Sequence, residues 1–197
     1  MNEIEIIRSQ LAVEQSHAAE VANACAAAYG SGGAKATPSE ASEATALFRE
    51  ASVSYLVWVL ARFEERDQTL SELLAAQLPP ANGATAAGAH RLSSLISRSG
   101  RSREALSRLE AALAAGDSGA AGDSGAARAL WEEFARFFNS AWLPRRAALE
   151  GALAEQLAVP DWRAVSAIDA DSILDERSRY ARVVAQLPAG IELRSRP

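Results

Sequence analysis

The stretch LAVEQSHAAEVANAC, residues 11–25, decides how the chain is read. Leu11, Glu14, Ala18, Val21 and Cys25 recur at alternating steps of three and four, and Ile4, Ile7 and Ala28 extend the series on either side. That spacing keeps one stripe of a helix against a partner helix. The stripe is apolar except at Glu14, with His17 three residues further on. An acid on such a seam needs a metal, an arginine or a proton to answer it. The helix predicted over residues 3–29 stops at YGSGG (29–33), where glycine frees the backbone at a helix end.

A second helix starts at TPSE (37–40). Thr37 can cap, Pro38 suits the first helical position and Glu40 completes a capping box. It extends to Leu78, before the two prolines. At ~1.5 Å per residue that is a long rod, and a bend or break is expected in it. VSYLVWVL (53–60) is apolar on every side, and Leu56, Leu60, Phe63, Asp67, Leu70 and Leu74 continue a seam, again with one acid.

Residues 84–115 read as two short helices, the second capped by Ser102. AAGDSGAAGDSGAA (114–127) is a tandem copy without large apolar residues, expected to be a flexible tether. Its GDSG resembles the serine of a hydrolase only superficially, because neither the scaffold nor a nearby histidine accompanies it. A fourth long element spans 127–157 with Trp131, Phe134, Phe138, Trp142, Arg145 and Leu149 as its stripe, and Pro144 should kink it. VPDWRAVSAIDADS (159–172) is a connector with short helical potential. A last helix over 172–187 is capped by Asp171 or Ser172 and carries Ile173, Arg177, Tyr180, Val184 and Leu187. No stretch alternates as a strand does. The expected fold is all-α, an up-and-down bundle of four long helices with two additional short helices, in a single domain over residues 1–197.

The bulk numbers fit a soluble domain. The 197 residues are 49% hydrophobic and 23% charged, with a net charge of −5. That balance leaves a nucleic-acid role without an electrostatic footprint. Lys35 is the sole lysine among many arginines, which with the abundant alanine suggests a GC-rich bacterial genome. Cys25 is alone, as in a reduced cytosol. The start, MNEIEIIRSQ, does not read as a signal peptide, and no apolar run approaches the ~20 residues that span a bilayer. The expectation is a cytoplasmic protein without a membrane anchor.

Each long helix thus interrupts its seam with one charge: Glu14, Asp67, Arg145 and Arg177. Two acids and two arginines balance without an ion, since a guanidinium fork holds a carboxylate through two hydrogen bonds. The same arginines could grip a small anionic ligand, with Trp142 and Tyr180, and also Trp131, lining the pocket. The alternative is a metal site. Glu14 and His17 have the Glu-x-x-His spacing of carboxylate-bridged bundles, and Glu64 with Asp67 adds a second pair, a donor set suited to iron, manganese or zinc. In a hairpin turning near residue 34, His17 lies across from residues around 50, so Glu50 is the acid at its height and Glu64 is far along the axis. IDADSILDER (168–177) lacks the glycine and spacing of a calcium loop; Asp169, Asp171, Asp175 and Glu176 read as a helix start.

The passage FARFFNSAWLPRRAALEGALAEQLAVPDWRAVSAIDADSILDERSRYARV (134–183) resembles the second half of hemerythrin-like (HHE cation-binding) proteins, over about residues 127–185. DWRAV (161–165) and the helix after it carry most of the likeness. The resemblance implies a four-helix fold. Where that family presents a histidine and a following glutamate, this chain has Asn139, Ser140 and Arg145, so no ligand carries over there. The combined expectation is a non-enzymatic binding or regulatory module with no resident cofactor, acting as a homodimer or with a protein partner.

Overall fold

The structure is a computed structural model that describes residues 2–30, 38–77, 124–144 and 157–193, with isolated helical positions between 104 and 110. The described residues are almost entirely helical and include no strand. Helix α1 is Glu3–Gly30, α2 is Pro38–Gln77 and α3 is Ser124–Phe137. A π-helical turn, Phe138–Trp142, continues α3. Then come α4, Val159–Ser166, and α5, Ala170–Ala185. Apart from isolated helical positions between 104 and 110, the expected short helices of 84–115 lie outside the described residues, as do Arg145, Thr37 and most of the Gly-Ser-Ala tandem. The last four residues of that tandem, 124–127, are helical and open α3 rather than belonging to a tether. No described helix is long and apolar enough to cross a membrane.

The α1 seam is buried as the spacing predicts: Ile7, Leu11, Glu14, Ala18, Val21 and Cys25 all face the interior. Helix α2 runs through residues 38–77 as one helix, with no break. Its Leu56, Leu60, Phe63, Asp67 and Leu70 are buried. The main core joins Ala18, Val21, Cys25, Leu56, Leu60 and Phe63 to Trp131, Phe134, Phe138, Trp142, Tyr180 and Val183. The aromatic stripe of α3 is stacked within itself, Phe134 on Phe138 at 5.8 Å and Phe138 on Trp142 at 5.0 Å. A smaller cluster gathers Trp162 and Val165 of α4 with Ile7, Leu11, Leu70 and Leu157.

A π-helical turn precedes Pro144. Proline has no N–H and its ring crowds the carbonyl four residues back. The backbone answers by widening, and Leu143 N–H bonds to Phe138 O, one residue further than in an α-helix. Asn139 Nδ2 then donates to Ala135 O at 2.8 Å, and Ser140 Oγ donates to Arg136 O at 2.5 Å.

The connector realises its short helical potential, whereas the last helix starts elsewhere than the sequence suggested. VPDWRAVS forms α4, with Pro160 in its first turn and the Asp161 carboxylate accepting from Ala158 N–H at 3.0 Å. Helix α5 starts two residues early, because its cap is Asp169, which accepts from Ser172 N–H at 2.7 Å while Ser172 Oγ accepts from Asp169 N–H at 3.0 Å.

Residue pairings set the directions. Cys25 lies beside Ser52, and Glu14 bonds to Arg62 and Arg66, so α1 and α2 are antiparallel. His17 pairs with Glu176 and Glu20 with Tyr180, so α5 runs the same way as α1. Simple up-and-down alternation would point the last helix against the first. Here it points with it.

Candidate functional site

Two polar clusters meet where α1, α2, α4 and α5 converge. The first is centred on Glu14. Arg66 Nη1 donates to Glu14 Oε2 at 2.5 Å and Arg66 Nη2 to Glu14 Oε1 at 3.0 Å, a two-pronged grip. Arg62 Nη2 adds a longer contact to Glu14 Oε1 at 3.4 Å. Both arginines also reach the C-terminal end of α4: Arg66 Nε donates to Ser166 O at 2.7 Å and Arg62 Nη2 to Ala167 O at 3.3 Å. Helix ends leave such carbonyls without intrahelical partners and carry partial negative charge, so the guanidinium groups answer two needs at once. Glu14 is 5% exposed and Arg66 2%, which makes this a buried ion pair whose rupture would strand a charge. Arg62 Nε is buried without a hydrogen bond among the described residues, while its guanidinium carbon lies 5.0 Å from the centre of the Trp58 ring.

The second cluster is centred on Glu176. Its Oε1 faces His17 Nδ1 at 2.8 Å and accepts from Tyr55 Oη at 2.9 Å. The imidazole lies flat on the Tyr180 ring, 3.7 Å between centroids and 5° between planes. Tyr180 Oη in turn donates to Glu20 Oε2 at 2.9 Å. Burial, then the Glu176 carboxylate, push the Tyr55 hydroxyl well above the usual phenol range. Burial and Glu20 do the same to Tyr180. Both phenols therefore remain neutral donors. Cys25 is enclosed beside them in the core, where burial pushes its thiol up to about 12, only partly offset by the Ser52 hydroxyl.

The residues expected at the site are only partly brought together. Glu14 and Asp67 are buried on their seams. Arg177 is exposed, so it forms no part of an interior network; Glu176, one position earlier, takes the inward place. That also corrects the reading of Glu176 as one of the acids of the helix start. Arg145 lies outside the described residues. Among the described residues, the guanidinium groups that answer Glu14 come from α2. Trp142 packs on Phe63 at 5.0 Å and Tyr180 packs on His17, both as parts of the core rather than as walls of a shared anion pocket.

The alternative metal set fares similarly. Because Glu14 sits beside Arg62 and Arg66, the α1–α2 register is further along than a turn near residue 34 implies. Glu64 and Asp67 are therefore close to the height of Glu14, and Glu50 is exposed and not at the site. Yet both oxygens of Glu14 are held by Arg66, and His17 Nδ1 is held by Glu176. Among the described residues no three His, Cys, Asp or Glu side chains converge as metal ligands would.

Arg62, Arg66, Tyr55 and Glu176 were not foreseen. Arg66 directly precedes Asp67, and a one-residue step of ~100° around a wide interior face keeps both inside. No family model, curated protein or solved structure matches the chain.

Proposed function

We propose that the chain is a non-enzymatic binding or regulatory module on a four-helix frame of hemerythrin-like character, one that works through a protein partner or a second copy and without a resident metal. The observation that carries this reading is the pairing of the interior acids with donors of the chain itself. Glu14 is taken by Arg66 and Arg62, and Glu176 by His17 and Tyr55. In a carboxylate-bridged centre those oxygens would face cations instead. The guanidinium positive charge beside Glu14 also repels a metal ion. Elemental analysis of untagged protein tests the proposal. It predicts no stoichiometric iron, manganese or zinc, and a stoichiometric metal lost in Glu14→Ala would overturn it.

A second reading, a metal-binding bundle using His17, Glu14, Glu64 and Asp67, is favoured by one feature. A histidine whose Nδ1 is held by a carboxylate is the arrangement that orients metal-ligating imidazoles. It requires Glu14 to leave Arg66, which would strand a guanidinium that is 2% exposed.

A further inference from the structure

Helix α5 is seated in two different ways along its length. Of its first three turns, Ala170–Tyr180, only Glu176 and Tyr180 are buried. Ile173 is half-buried and Leu174 is 62% exposed, so no buried aliphatic side chain holds this stretch. Beyond it the character changes. Val183 is buried in the main core, Val184 and Leu187 pack against that core, and Leu193 returns to it after the helix has ended.

The contacts of the first three turns attach them weakly. Glu176 is 3% exposed, and its carboxylate is answered by the Tyr55 hydroxyl and the His17 imidazole. Glu14, by contrast, has the two-pronged grip of Arg66. A carboxylate taken out of water gives up strong hydration, and two single hydrogen bonds do little more than replace it. Tyr180 adds its ring, flat on His17, and a hydrogen bond to Glu20. Arg179 reaches over the Trp58 ring at 5.2 Å from a half-exposed position, where such a contact contributes little. Segments poor in apolar burial open locally at a free energy below that of global unfolding. This one also lies between fixed points. Before it, Arg66 and Arg62 hold the Ser166 and Ala167 carbonyls, and after it Val183 is locked in the core.

We propose that Ala170–Tyr180 opens as a local unit between these points while α1, α2 and α3 stay folded, uncovering His17 and Tyr55. This goes beyond the binding-module reading and holds with or without a metal.

Hydrogen–deuterium exchange of the full chain tests it, under conditions where closing outpaces chemical exchange. After correction for intrinsic rates, amides of Leu174–Tyr180 should exchange at least about a hundredfold faster than those of Leu56–Phe63. Their rates should rise only shallowly with urea, because local opening exposes little surface, whereas the core rates should rise steeply. Phe134 has its ring partners, Trp131 and Phe138, on α3 and its π-helical turn. Phe134→Leu should therefore speed the core amides about tenfold and leave Leu174–Tyr180 unchanged. Equal protection of the two segments, an equally steep urea dependence, or an equal response to Phe134→Leu would overturn the proposal. The urea series on wild-type protein decides by itself if Phe134→Leu does not fold.

Discussion

Ala167 shows how far the ion cluster shapes single residues. It ends α4 with φ 47° and ψ 36°, the left-handed region, which glycine adopts far more readily than alanine. The residue is held there because its carbonyl and that of Ser166 are gripped by Arg62 and Arg66. Ala167→Gly should therefore stabilise the protein by about 0.5–1 kcal/mol, the relief of strain exceeding the added freedom of the unfolded chain. Urea unfolding measures this, and a loss of stability would mean that the alanine methyl is needed. At this scale Glu14 was legible because it alone broke an apolar periodicity. Arg66 was not, because a buried arginine beside a buried aspartate looks in sequence like one more charge on a solvated face. Only the position of α4, whose carbonyls and Glu14 together take its donors, makes an interior arginine tolerable.

Among the elements, α5 gives the clearest electrostatic prediction. The Ser172 backbone N–H, then its hydroxyl, hold the Asp169 carboxyl below its ordinary range. A depressed carboxyl stabilises the fold above its unfolded value, about 3.9, and that contribution is lost as pH falls through the folded value. Wild type should thus unfold at higher urea than Asp169→Ala at pH 6, and the gap should close as the pH is taken below about 4. A gap independent of pH would mean that the charge of the cap contributes nothing. The start of α5 was misplaced because Asp169, Asp171 and Ser172 are all good caps, and the reciprocal Asp169–Ser172 bonds decide among them. Its face was misassigned for a related reason. Steps of four and three from Ile173 give Arg177 and Tyr180, whereas steps of three and four give Glu176 and Tyr180. Both series pass through one charged residue, so hydropathy could not choose; His17 and Tyr55 do. Pro144 marked a disturbance of the helix in the sequence, but the widened π-helical backbone before it was not legible there.

For the whole molecule, helical content followed from the sequence, and direction did not. Periodicity marks which face of a helix is buried but carries no information about whether a distant helix returns up or down. The parallel run of α1 and α5 is set by pairs more than a hundred residues apart in sequence, His17–Glu176 and Glu20–Tyr180. The Glu14–Arg66–Ser166 contact ties three of the elements together: α1, α2 and α4. The central claim is that Glu14 is a structural acid answered by Arg66. A double-mutant cycle in urea, with Glu14→Leu, Arg66→Met and the pair together, tests it most directly. Each single change should cost about 3–5 kcal/mol by stranding a buried charge, and the double variant should recover most of the loss, a coupling of at least about 2 kcal/mol. Additive losses, or a Glu14→Leu variant as stable as wild type, would contradict the account.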